Sequence, residues 1–177
     1  KFAASFGSSD WGALAGLWHD LGKYSKEFQR RIKSVSGYDP DAHLEGPVGR
    51  VDHSTAGAQH AVAQFGVHGR ILGYLIAGHH AGLSDWHTGE TGGAALKARL
   101  GDFSHLERTL AQPIPSGILS QSKPTSPLLG KSDGFSLWVR MLFSCLVDAD
   151  FLDTEAFMDD DKAAQRAGYS NAHELLQ

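Results

Sequence analysis

Apolar positions along this chain recur at spacings of three and four and show no clear alternation with a period of two, so the pattern predicts an all-α fold. Ser8, Ser9 or Asp10 can cap a first helix from about Trp11 to His19, with Gly22 just past its end. A short helix follows from Ser25 to Ile32, then a Gly-, Pro- and Asp-containing loop over 34–52. Ser54 or Thr55 caps a helix to Phe65 that Gly66 stops, and Ile71 to Gly78 reads as a buried apolar helix. Residues 81–93 read as a glycine-rich loop, in which Thr91 opens a helix carrying Leu96 and Leu100. Pro113, Pro115, Pro124 and Pro127 make 112–131 an irregular segment. Ser132 or Asp133 caps the strongest helix, Phe135 to Phe157. Asp159 to Asp161 read as a solvated charge run, and Asn171 to Gln177 as one more short helix.

At 177 residues, 41% of them hydrophobic and 20% charged, the chain predicts a single globular domain over 1–177 with a sizeable core. Its longest apolar run, Ile71 to Ala77, is too short to cross a bilayer, no signal peptide opens the chain, and no membrane association is expected. The single cysteine, Cys145, can form no internal disulfide, which fits a cytoplasmic location. The chain opens on Lys1 rather than Met, so further residues are expected upstream. A net charge of −4 argues against a simple nucleic-acid binder, but carboxylates that hold divalent ions are neutralised and can still accept phosphates.

Histidine is the outlier, at ten residues, several beside Asp or another His. His19-Asp20-Leu21-Gly22-Lys23 places an imidazole and a carboxylate at a helix end, where both can grip one cation while Lys23 meets a phosphate. The plain alternative is a helix terminus in which His19 serves the dipole and Asp20 is solvated. Asp52-His53-Ser54 puts His53 at a helix start, or is only a cap with an incidental histidine. His60 reads as a surface or core histidine, and Trp86 and His87 as an ordinary loop. His79-His80 end an apolar helix, where packing alone rarely explains two imidazoles that each need partners. Asp148 and Asp150 interrupt an apolar helix about 200° apart, so one of them faces the cluster and the other pairs with Arg140 or caps. Asp153 reads as surface.

The string Leu17-Trp18-His19-Asp20-Leu21-Gly22-Lys23-Tyr24-Ser25-Lys26-Glu27-Phe28-Gln29 resembles the HD nuclease domain of the CRISPR-associated helicase-nuclease of type I systems. So do His53-Ser54 with Gly57-Ala58, His79-His80-Ala81-Gly82-Leu83, and Leu146-Val147-Asp148-Ala149-Asp150. The resemblance covers nearly the whole chain. It implies a helical HD-domain bundle that cuts single-stranded DNA, internally or from an end. Its expected partners are a helicase, fused or separate, and the CRISPR RNA-guided surveillance complex. It implies two divalent ions: one on His19, Asp20 and a late Asp, the other on His53, His79 and His80, with Asp20 shared. The family's pattern after the late Asp selects Asp150, before Phe151, over Asp148. Asp20 and Lys23 are the implied catalytic residues, and Lys23 and Ser54 are implied near the scissile phosphate.

The family carries a further His upstream of its HD pair, and none of the residues before His19 is His, so the ion at His19 is expected to be the weaker held. The nitrogen-rich ligand set suits Mn, Fe, Co or Ni better than Mg. Two other functions fit the same residues: an HD-type nucleotide phosphohydrolase, which needs a closed pocket for base and sugar, and a metal-depleted regulatory or interaction module.

Overall fold

Helix α1 (Ser9–Trp18) buries Trp11, Leu14, Ala15 and Trp18, positions at the three- and four-residue spacing of one helical face. The structure, a computed structural model, describes residues 1–36, 51–87, 95–126 and 132–167. Among these it contains helices and no strand. After α1 come α2 (Lys26–Ser36), α3 (Ser54–Phe65), α4 (Val67–Gly78), α5 (Leu96–Gly101), α6 (Ser104–Leu110), α7 (Ser116–Leu119), α8 (Ser132–Met158) and α9 (Asp160–Ala167). Two 3-10 turns, Phe2–Phe6 and Leu21–Tyr24, flank α1. The all-α expectation holds. Among the described residues no helix is long and apolar enough to span a membrane.

Helices α3 and α4 form a hairpin turned at Gly66, whose φ of +58° lets the chain reverse at a single residue. The start of α3 therefore returns beside the end of α4. The core gathers Trp18 from α1, Ala58 and Ala61 from α3, Leu72, Leu75 and Ile76 from α4, and Trp138, Leu142 and Leu146 from α8. Trp18 is fully buried, and truncating it to alanine should cost about 3–5 kcal/mol. Three indole N–H groups tie the irregular segment and the N-terminus to this core. Trp11 donates to the Thr125 carbonyl (2.7 Å), Trp18 to the Ile118 carbonyl (2.7 Å), and Trp138 to Ser8 Oγ (2.8 Å).

The boundaries differ from the sequence expectation where amphipathic ends are diluted by glycine or charge. Helix α4 begins at Val67, not Ile71, because His68, Gly69 and Arg70 hide its first turn. Helix α2 runs on to Ser36. Helix α8 already includes Ser132 and Asp133, so neither precedes it as a cap. Helix α6 had no expected counterpart, and α7 is one turn inside the Pro-containing segment. Asp159 is not merely part of a charge run: its carboxylate accepts the Lys162 N–H at 3.1 Å and opens α9. The helix expected over 171–177, the opening of a helix at Thr91, and much of the 34–52 loop lie outside the described residues.

Candidate metal centre

Two helix C-termini and one helix N-terminus converge on a single place. Helix α1 ends at Trp18 and delivers His19; α4 ends at Gly78 and delivers His79 and His80; His53 stands immediately before α3. Small residues permit this convergence. A Cβ on Gly57 would lie 1.8 Å from the Trp18 carbonyl oxygen, so α3 can meet the end of α1 only as glycine. A Cβ on Gly22 would lie 2.2 Å from the His53 carbonyl oxygen, and the Gly22 N–H instead donates to that oxygen at 3.1 Å. Gly22 therefore sits inside the 3-10 turn as a close-approach residue that binds the His19–Lys23 segment to His53. It is not the left-handed stop just past α1 that its position suggests, since positive φ among the described glycines occurs only at Gly7, Gly66 and Gly82.

The imidazoles are oriented by the helices that carry them. His19 Nδ1 donates to the Gly16 carbonyl at 2.8 Å, and His79 Nδ1 to the Ile76 carbonyl at 2.7 Å, each three residues back. These carbonyls belong to the last helical turn, which lacks intrahelical donors. With Nδ1 protonated, each Nε2 carries a bare lone pair, the tautomer a metal ligand needs. His53 Nε2 lies 2.9 Å from His80 Nε2 and 3.5 Å from Asp20 Oδ1. Asp20 Oδ2 is 3.2 Å from His19 Nε2 and 2.5 Å from Lys23 Nζ. Asp150 Oδ1, from α8, is 3.4 Å from His19 Nε2.

Three side-chain atoms in this cluster are buried without a hydrogen-bond partner: His19 Nε2, Asp20 Oδ1 and His79 Nε2. An orphaned buried acceptor costs about 1–3 kcal/mol, so three together call for a common partner. All three are electron-pair donors, and the negative ends of the α1 and α4 dipoles face the same place, so a cation would satisfy them. The donor atoms of His53, His79 and His80 fall within 4.8 Å of one another, and so do those of His19, Asp20 and His79. The residues present thus fit one or two divalent ions; His79 Nε2 falls within both groups, and its single lone pair serves one ion at a time.

Protonation follows the same geometry. Burial alone would raise Asp20, but the neighbouring His19 and Lys23 outweigh it and hold the carboxyl far below the usual range. For His19, burial works against the charged ring, yet the Asp20 carboxylate beside it raises it above an ordinary imidazole. Burial lowers His53, and it pushes His79 down to about 4, so His79 is neutral at any physiological pH.

Of the two late carboxylates, Asp150 reaches the cluster. It continues the buried α8 stripe Trp138, Leu142 and Leu146 by one further step of four. Asp148 lies off that stripe, and its recorded effect is to raise the Cys145 thiol, after burial. Arg140 pairs with neither. Asp153 is exposed. His60 is a core residue: its Nε2 contacts the Leu119 carbonyl at 3.1 Å and its ring packs edge-on against Trp18. Ser54 is buried, with its hydroxyl donating to Asp52 Oδ1 (3.1 Å) and accepting from Arg99 Nη2 (3.2 Å). The cap of α3 is therefore neither Ser54 nor Thr55. Asp52 Oδ1 accepts the backbone N–H groups of both, at 3.0 and 3.1 Å. Burial of Asp52 is outweighed by the bonds from Thr55 and by Arg99, which bring its carboxyl down to about 2.

Arg99 had no place in the sequence reading. From α5 it donates to Thr55 Oγ1 (2.7 Å), Asp52 Oδ2 (3.3 Å) and the Ala77 carbonyl (3.3 Å). It thereby joins the segment before α3, which carries His53, to the last turn of α4, which carries His79 and His80. Gln59, fully buried, completes the layer: its Nε2 donates to the Arg99 carbonyl at 2.7 Å and its Oε1 accepts the Leu106 N–H at 3.0 Å. A long-range brace of this kind leaves no local spacing signal. The Phe28-Gln29 pair does have a visible role: the Phe28 ring packs on His53 at 5.1 Å, and Gln29 Nε2 donates to the Lys23 carbonyl at 2.7 Å.

A protein-family model described as the HD domain of Cas3 matches residues 7–127. That span contains His19, Asp20, Lys23, His53, Ser54, His79 and His80; Asp150 lies beyond it. Among curated proteins, none matches the chain.

Proposed function

The chain belongs to the Cas3 HD-domain family, the HD-type nucleases of CRISPR type I systems, and from that premise we propose that it cleaves single-stranded DNA at a His/Asp centre holding up to two divalent ions. The observation that carries this reading is the trio of orphaned donors, His19 Nε2, Asp20 Oδ1 and His79 Nε2, pointed into one place. His19, Asp20 and Asp150 would hold one ion and His53, His79 and His80 the other, with the two oxygens of Asp20 shared between them. When bound, such ions lower the pKa of a coordinated water toward neutrality and offset charge on the phosphate oxygens. The nitrogen-rich set favours Mn, Fe, Co or Ni over Mg.

The chain's own groups have distinct duties in this reading. Asp20 stays ionised at neutral pH and so supplies a negative charge for either ion. Lys23, about two-fifths exposed beside Asp20, can pass its ammonium to a non-bridging oxygen of the incoming phosphate. Ser54, locked between Asp52 and Arg99, acts through the His53 backbone segment that it helps to fix. The whole described chain works as one domain here, since α8 brings Asp150 back to α1. A helicase would deliver the strand, in keeping with the family's CRISPR setting.

The test of substrate is direct. With Mn supplied, the chain should degrade circular single-stranded DNA and leave closed duplex largely intact, because a stiff paired strand cannot bend its phosphate into a recessed centre. Equal rates on both would refute the single-strand preference. Hydrolysis of free nucleotides without DNA cleavage would instead identify a nucleotide phosphohydrolase.

A further inference from the structure

Between the N-terminal halves of α4 and α8 lies an open groove of about 570 Å³. Its walls carry three aromatic rings, Tyr74, Trp86 and Phe135, and two guanidinium groups, Arg70 and Arg140, over an apolar floor that includes Val139. No carboxylate lines it, although acidic residues outnumber Lys and Arg by 20 to 16 in the chain. Arg70 stacks its guanidinium on the Trp86 ring at 5.4 Å. Among the described residues, neither arginine is ion-paired.

We propose that this groove is a stacking track for the bases of a single-stranded nucleic acid, on the same two helices that carry the metal cluster. Flat apolar rings with unpaired guanidiniums complement a ligand that has aromatic faces and a polyanionic backbone. An acidic peptide would satisfy the arginines but leave the rings without partners, and a duplex keeps its base faces hidden. The groove shares its helices with the metal cluster. Tyr74 precedes His79 by five residues on α4, about 7.5 Å along the helix, and Arg140 precedes Asp150 by ten on α8, about 15 Å. The proposal rests on the nuclease reading above and adds where the strand is gripped.

The test uses the full chain with excess chelator, so that binding is separated from cleavage. A fluorescein-labelled oligothymidylate is titrated by anisotropy into the parent, Trp86→Ala, Trp86→Phe and Arg140→Glu. Loss of one base stack should weaken binding roughly tenfold in Trp86→Ala, and Trp86→Phe should restore most of it. Arg140→Glu, an exposed change that spares the core, should weaken binding by at least as much. Unlabelled oligothymidylate should also quench tryptophan emission, and the quench should vanish in Trp86→Ala, because the other three indoles are buried. Metal-dependent hydrolysis of bis(4-nitrophenyl) phosphate should be unchanged in all three variants.

If the parent cleaves single-stranded DNA but the variants bind as the parent does, the track is refuted and the nuclease reading stands. If the parent neither binds the oligonucleotide nor hydrolyses either ester, both fall. If the variants keep oligonucleotide affinity but lose self-association in sedimentation, the groove is a protein interface and the proposal is overturned.

Discussion

His19 and His79 meet edge to face, with ring centroids 5.1 Å apart and planes at 89°, and each has committed Nδ1 to a carbonyl three residues back on its own helix. The shared device leaves two bare Nε2 atoms at one place, both buried and both unpartnered. It makes the end of a helix serve twice, since the same bond satisfies a terminal carbonyl and sets the tautomer.

An unpartnered buried nitrogen contributes little to the metal-free fold. His79→Ala should therefore shift melting of the chelated protein by only a few degrees, corresponding to about 1 kcal/mol. It should nevertheless weaken metal uptake markedly, because the ion that takes His79 Nε2 loses one of its few nitrogen ligands. Titrating Mn into parent and variant, followed by differential scanning calorimetry, checks both halves. A large loss of metal-free stability with metal uptake intact would make His79 a packing residue.

Proton competition should be visible at His19 and not at His79. His19 is raised, so below its folded pKa a bound proton must leave before Nε2 can take a metal, and affinity falls as pH falls, by up to tenfold per unit. His79, down at about 4, adds no such penalty above that pH. The metal-free protein has the opposite slope: a raised histidine stabilises it fully below the ordinary imidazole value, and that gain disappears as pH rises through the folded value. Calorimetric titration of Mn between pH 5.5 and 8, in buffers of different ionisation enthalpy, should find affinity rising with pH and about one proton released at the acid end. Affinity independent of pH across that range would rule out the protonated His19.

Arg99 holds together the two segments that present His53 and His79-His80. Arg99→Ala should lower melting by several degrees, through loss of charged hydrogen bonds worth about 1.5–3 kcal/mol each, and weaken metal binding about 10- to 100-fold. Arg99→Lys should recover part of the stability and little of the metal affinity, because one ammonium cannot span Thr55, Asp52 and the Ala77 carbonyl. Equal recovery of both would reduce Arg99 to a general stabiliser.

Most of the helices and the cluster residues can be read from local pattern, and the reasons are physical. Trp11, Leu14, Ala15 and Trp18 mark α1 by their spacing, and His19-Asp20 follows where a helix end exposes donors. The α8 stripe at 138, 142 and 146 points to Asp150 by simple periodicity, a signal independent of any family likeness. The brace of Arg99, Asp52 and Gln59 could not be read so. Its partners lie 40 or more residues apart for Gln59 with Arg99 and for Arg99 with Asp52 and Thr55, and only the packed fold brings them together. Helix α6 was hidden because its signals are weak: its N-cap position is Phe103, with no side-chain cap bond, and its seven residues bury only Leu106 and Thr109.

The donor atoms predict a preference among metals. Chelation should silence phosphodiester cleavage, and Mn, Co or Ni should restore it far better than Ca, which prefers all-oxygen sites. Restoration by Ca to the level of Mn would contradict the histidine-rich ligand set.

The central claim is that a metal bound at Asp20 and its neighbouring histidines cuts phosphodiester bonds. The most direct measurement is cleavage of circular single-stranded DNA by the chelated chain after Mn is returned, run beside Asp20→Ala with its helical circular dichroism recorded. The account predicts Mn-dependent cleavage by the parent, and a variant that keeps its helical signal while its cleavage falls to background. Full cleavage by the parent in excess chelator, or by folded Asp20→Ala, would contradict it.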